Sequence, residues 1–331
     1  MRKQITLLFT LLFILSCRPQ TCEIDPEIAK INVQVPLERL EKPFYASKSE
    51  EELRNFLTKN RGFASKYLQQ SQYPSEEQLI SSLIQLNKEP SLQRFVQETE
   101  QKFGNMADVQ QDLTNAFKHL KYYYPGFAVP AVKTFISGLI GPDIFLSDSL
   151  VVLGIDYFAG KKASYRPQQP DYILTRYQKE NMVPALFTLI SSHYNQTDAN
   201  NTMLAEMVNY GKSYYFTKRM MPCTPDSLIM GYTDQQMADI NYNEGKIWAH
   251  FVQKSLLYET SHFKINKYTG ERPNVPEISN RCPGRVATWV GWQIVKKYMT
   301  EHPEVTLPQL MAEKDAQKIF TQSRYKPKPN S

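Results

Sequence analysis

Histidine, cysteine and acidic side chains are the groups that could run hydrolytic or metal chemistry in this chain. The five histidines are His119, His193, His250, His262 and His302. None begins an HExxH pattern, and no two stand four apart, the spacing that puts two imidazoles on one helix face for zinc. The cysteines show no CxxC spacing, and GxSxG elbows, P-loops and GxGxxG loops are missing. A Ser-His-Asp triad needs no closeness in sequence, so it stays open, but nothing nominates its members. The chain is expected to use no metal or cofactor, and to be no enzyme.

Glu206 lies in Met203-Leu-Ala-Glu-Met-Val-Asn-Tyr-Gly-Lys212. At helical spacing Met203, Met207 and Tyr214 share one face while Glu206, Asn209 and Ser213 share another. A solvated polar stripe is the plainer reading, a catalytic carboxylate the sharper one. Glu244, four before Trp248, has the same ambiguity. The aromatic load of 20 Tyr, 17 Phe and 3 Trp could build a sugar- or peptide-binding face. Rings at helical spacing more often form core, and Trp289 and Trp292, three apart, are expected inside.

The amino terminus carries a different chemistry. Arg2 and Lys3 precede the uncharged run Ile5–Leu15, too short for a bilayer, which needs about 20 residues, and suited to a signal h-region. It ends at Ile14-Leu15-Ser16-Cys17, which resembles the bacterial lipobox, with Leu15 a less usual choice. There the Cys17 sulfur takes a diacylglycerol before cleavage on its amino side, leaving residues 1–16 as a signal peptide. Two or more acyl chains give stable anchoring. Residues 17–30 then read as lipidated terminus and tether, without an acidic cluster after Cys17, which favours a periplasm-facing protein. No later segment suits a transmembrane helix.

Cys22, Cys223 and Cys282 remain, in a compartment that permits disulfides. A Cys223–Cys282 bridge would close a loop of about 60 residues and stabilise by roughly 4 kcal/mol, leaving Cys22 as the odd thiol. Three free thiols are the alternative.

The elements that must hold these residues are mostly helical. Ile31-Asn-Val-Gln-Val alternates like a strand. Ser49-x-x-Glu52, Ser75-x-x-Gln78, Thr233-x-x-Gln236 and Thr306-x-x-Gln309 are capping boxes. Met106 to Tyr124 has helical periodicity, and helices are expected over 171–194, with a kink or break at Pro184, 202–217, 233–258 and from Pro283 to about Met299. Val132–Leu139, Ile144–Leu146 and Leu150–Ile155 suggest a small antiparallel sheet. At 331 residues, 41% apolar and only 13 glycines, the chain suits one α+β domain over 31–325, with 326–331 a tail. The net charge of +6 has no block of five like charges, so nucleic acid is not an expected partner.

Segments in order along the chain resemble the gliding-motility lipoprotein B (GldB) family of Bacteroidetes. They are the Cys17 lipobox, Leu37-Glu-Arg-Leu40, Ile144-Phe-Leu-Ser-Asp-Ser-Leu150 with Leu153-Gly-Ile-Asp-Tyr-Phe158, and Met207-Val-Asn-Tyr-Gly-Lys-Ser-Tyr-Tyr-Phe216. Gly231-Tyr-Thr, Ile247-Trp248, Leu256-Leu-Tyr258, Pro283-Gly-Arg285, Trp289-Val-Gly-Trp-Gln-Ile-Val295 and Ser323-Arg-Tyr-Lys-Pro327 complete the set. The resemblance implies a cell-envelope lipoprotein needed for gliding and associated with type IX secretion, whose partners are other envelope proteins and not a small-molecule substrate. A fainter similarity links Glu206, Tyr210, Gly211 and Lys212 to the second helix of some zinc peptidases. There a glutamate ligand precedes the glycine; here Tyr210 stands in its place. That implies a gluzincin-like scaffold that has lost its metal. A peptidase-like hydrolase and an aromatic-rich glycan- or peptide-binding lipoprotein remain the alternatives.

Overall fold

The computed structural model describes residues 22, 24–197 and 201–327, so Cys17 and the signal segment lie outside the described residues. Seventeen α-helices and one four-stranded sheet share a continuous apolar core among them. The strands are β1 (Leu37–Arg39), β2 (Ala131–Phe135), β3 (Ile144–Ser147) and β4 (Leu150–Gly154), in the order β1-β2-β4-β3. The mostly helical α+β expectation holds, but the sheet is mixed and not antiparallel. β1 pairs parallel with β2, β2 pairs parallel with β4, and only the β3–β4 hairpin is antiparallel. β4 is buried at all five positions, as suits the uninterrupted apolar run of a strand covered on both faces.

The expected strand at 31–35 does not form. Val33 and Val35 are buried, yet pairing begins only at Leu37, opposite Val132. Earlier residues of a parallel partner would face Pro130, which has no N–H to share, so alternation there buries side chains without a ladder.

Capping boxes at Ser49, Thr233 and Thr306 open helices where their spacing says they should. The long stretches divide. Residues 171–194 give Asp171–Leu174 and Lys179–Ser191, with Pro184 held inside the second. Residues 233–258 give Asp234–Tyr242 and Glu244–Gln253, parted at Asn243, then a 3-10 turn at Leu256–Tyr258.

The centre of the molecule is the crossing of the Met203–Met220 and Val286–Glu301 helices. A Cβ on Gly291 would fall 1.7 Å from the Met207 carbonyl oxygen, and one on Gly211 would fall 2.3 Å from the Gly291 oxygen. Backbone meets backbone here, which only glycine permits. Trp289 and Trp292 lie inside as expected, 1% and 0% exposed.

The tether folds back on the body. Asp25 caps the Pro26–Ala29 helix, Ile28 is buried, and that helix packs against Ala107–Tyr123. The docking brings Cys22 to Cys223 and bridges them. The expected Cys223–Cys282 bridge is therefore wrong: Cys282 is a free thiol, 3% exposed, with its pKa pushed up to about 12 by burial. Crosslinking across 201 residues stabilises by about 5 kcal/mol in the chain-entropy account.

Candidate functional site

The four residues singled out on the Met203–Met220 helix do not converge. Gly211 and Lys212 face inward, while Glu206 is half-buried and Tyr210 is 40% exposed. Lys212 is 1% exposed, and its ammonium donates to three carbonyls: Gln196 at 2.6 Å, Glu313 at 2.7 Å and Met311 at 3.2 Å. Burial draws its pKa down to about 8, so it stays charged at neutral pH with its three N–H groups occupied. Lys212 staples the loop at Gln196 and the carboxyl-terminal turn at Met311–Glu313 onto the helix.

The polar stripe faces a loop. Asn195 Nδ2 donates to the Asn209 carbonyl at 2.8 Å, to Asn209 Oδ1 at 2.7 Å and to Ser213 Oγ at 3.0 Å. Glu244 accepts from the Tyr325 hydroxyl at 2.8 Å, and Tyr325 sets its ring edge-on to Trp248. The histidines are scattered: His119 is buried against the Asn115 carbonyl and His250 meets the Tyr268 hydroxyl. No three of His, Cys, Asp and Glu cluster as a metal site among the described residues.

Two features escaped the sequence reading. The first is an ionic knot at Arg285, whose Nη2 donates to the Met230 carbonyl at 2.7 Å and whose Nε lies 3.2 Å from Glu271. Arg176 holds the same Glu271 oxygen at 2.5 Å, and the Arg285 guanidinium lies over Tyr232. Only the Pro283-Gly284-Arg285 segment hinted at it.

The second is a cleft of about 630 Å³ at the amino ends of β2 and β4. Tyr124 and Tyr194 stand with ring centroids 4.0 Å apart beside Ile190, and Phe127 stacks on Phe117. The Tyr124 hydroxyl is buried without a hydrogen-bond partner, and burial raises its pKa. The rim carries Asp148, Pro308 and the exposed His193. Leu146 brings β3, an edge strand, to the same cleft. Gly154 donates its N–H to the Asp143 carbonyl, which makes Phe145 and Ser147 the residues that exchange hydrogen bonds with β4. The amide and carbonyl of Leu146 therefore point away from β4 along the free edge. The run of rings in Tyr122-Tyr-Tyr-Pro-Gly-Phe127 is the signal that could have marked the cleft.

The deep residues build the scaffold, and the cleft gathers partly exposed rings around one unpaired hydroxyl, that of Tyr124. Neither a curated protein nor a solved structure matches the chain. A family model described as gliding motility protein GldB matches residues 21–327, a span that contains every described residue. Since that match takes in both sides of the glycine crossing, the Arg285 knot and the aromatic cleft, the chain belongs to the GldB gliding-motility family.

Proposed function

We propose that the protein is an envelope lipoprotein, acylated at Cys17, that supports gliding or type IX secretion by contacting other proteins and not by catalysis. Family membership supports the gliding role, and Ile14-Leu15-Ser16-Cys17 supports the anchor. The observation that carries the contact reading is the aromatic cleft bordered by the free edge of β3. An extended peptide segment suits it. Its backbone can pair with Leu146 while its apolar or proline side chains lie against Tyr124, Tyr194 and Phe127. Rigid rings supply contact area at low entropic cost. In this reading the body faces the periplasm.

Photo-crosslinking from a probe at position 146 in intact envelopes tests this. Capture of one envelope protein, lost when Tyr194→Ala is introduced, is the expected result. Cleavage of a peptide by purified protein holding stoichiometric zinc would replace the contact reading with a hydrolase. A Cys17→Ala protein that stays on membranes would end the anchoring argument.

A further inference from the structure

The Met203–Met220 helix gives the body two ends. At 18 residues it is about 27 Å long. Its first amide, Met203 N–H, donates to the Glu259 carbonyl, which places the Leu256–Tyr258 turn and the start of the His262–Thr269 helix at that end. Tyr258 and Phe263 are exposed there, by 62% and 84%. The other end runs through Met221 into Cys223 and hence to Cys22.

The Cys223 end has its own surface. Arg219 donates to the Tyr123 hydroxyl and lies over the Tyr123 ring, with no carboxylate partner among the described residues. Lys118, one turn before Tyr122, donates to the Ala29 carbonyl of the helix that follows Cys22. Tyr122 is 47% exposed and sets its edge against Tyr123. Tyr122, Tyr123, Tyr215 and Met299 line a cleft of about 560 Å³ with Arg219 at its side. Lys30 and Lys218 add charge, each offset by a carboxylate, Glu27 and Asp226.

We propose that the Cys22–Cys223 bridge orients the body on the bilayer, holding the Tyr122–Tyr123–Arg219 face against phospholipid headgroups. The inference rests on acylation of Cys17. Four residues separate Cys17 from Cys22, so their Cα atoms lie at most about 18 Å apart. A chain that short cannot let the body turn its far end to the membrane. Tyrosine suits this boundary because its ring is apolar and its hydroxyl wet, and the Arg219 guanidinium, which has no carboxylate partner among the described residues, is attracted to an anionic surface. Without the bridge the tether would lengthen to the docked Pro26–Ala29 helix, and the body would tumble more freely.

Hydroxyl-radical footprinting with mass spectrometry tests it on the unmodified protein. The mature chain on vesicles of phosphatidylethanolamine and phosphatidylglycerol is compared with Cys17→Ala protein in buffer. Oxidation of Tyr122 is expected to fall by about threefold or more on vesicles, while Phe263 is unchanged. The acylated Cys22→Ser, Cys223→Ser double variant is expected to lose most of that protection. Equal reactivity of Tyr122 in acylated protein overturns the orientation, and full protection in the double variant overturns the role of the bridge. A mature amino terminus carrying no acyl chain removes the anchoring reading and this inference together, and the intact mass distinguishes that case from the others.

Discussion

The middle of the Met203–Met220 helix and the aromatic cleft beside it use polar and aromatic groups in opposite ways. At the middle the backbone and the buried ammonium are consumed: Gly211 touches Gly291 and Lys212 fills three carbonyls, while Trp289 and Trp292 are enclosed with their indole N–H groups unpaired. In the cleft the Tyr124 hydroxyl has no partner, Tyr194 is half-exposed and Leu146 offers a free backbone edge. Saturated chemistry resists change and holds shape. The unpaired indoles are sealed in the core, whereas the Tyr124 hydroxyl lies beside an open cleft, where a second molecule can approach. The helix that most resembles an enzyme element therefore belongs to the scaffold, and the surface without a recognised motif is the better place for contact.

The largest effect that would break this contrast is at the crossing. Gly291→Val would put branched carbons where the Met207 carbonyl stands, and we expect a loss above about 4 kcal/mol, read as failure to yield a cooperative thermal transition. Gly62 is the opposite case: it lies in the Arg61–Lys66 helix with nothing near an added Cβ. Gly62→Ala should raise stability by about 0.5–1 kcal/mol in denaturant titration. If Gly291→Val folds normally, the crossing is not what fixes the two helices.

Next come the staples. Cys22→Ser with Cys223→Ser should cost about 2–5 kcal/mol, measured by urea midpoint, with the Pro26–Ala29 helix losing its hydrogen-exchange protection first. Lys212→Met should cost about 2–4 kcal/mol by leaving the Gln196 and Glu313 carbonyls unpaired, the Met311 carbonyl keeping the Gln196 N–H. It also has a pH signature. The folded pKa of about 8 lies below the free value of 10.5, so between those values the unfolded chain binds more protons and stability rises with pH. Below pH 8 both states are protonated and the burial cost is complete. Wild-type protein should gain stability relative to Lys212→Met from pH 8 to 10.5, and parallel curves would mean that the ammonium is not buried in solution.

What could be read in advance follows the range of the forces involved. Capping boxes at Thr233 and Thr306 act over four residues and announced their helices; so did the periodicity before Pro125. The Cys22–Cys223 pair spans 201 residues and depends on a four-residue helix docking on Ala107–Tyr123. Asp25-Pro26-Glu27, a cap followed by a first-turn proline, was the local sign that the tether was structured. Strand direction was hidden for a similar reason: Leu37 and Val132 are brought parallel by the helices between them, and alternation is the same in either direction. The cleft needs residues from the 123–130 turn, β3 and the Lys179–Ser191 helix at once, so no single window contained it.

The smallest effect on stability sharpens the contrast most. Tyr124→Phe deletes a buried hydroxyl that has no partner, so folding should change by less than about 1 kcal/mol, and in the stabilising direction, because the desolvated group no longer has to be carried. At Lys212 the same logic gives a large loss, since there the deleted group has three partners. If a peptide occupies the cleft and its seating uncovers the Tyr124 O–H, a peptide carbonyl accepts from it, and crosslinking from position 146 should drop several-fold in Tyr124→Phe while the thermal midpoint holds. A fall in both together would place the hydroxyl with the scaffold, and unchanged crosslinking at full stability would show that whatever fills the cleft does so through the rings alone.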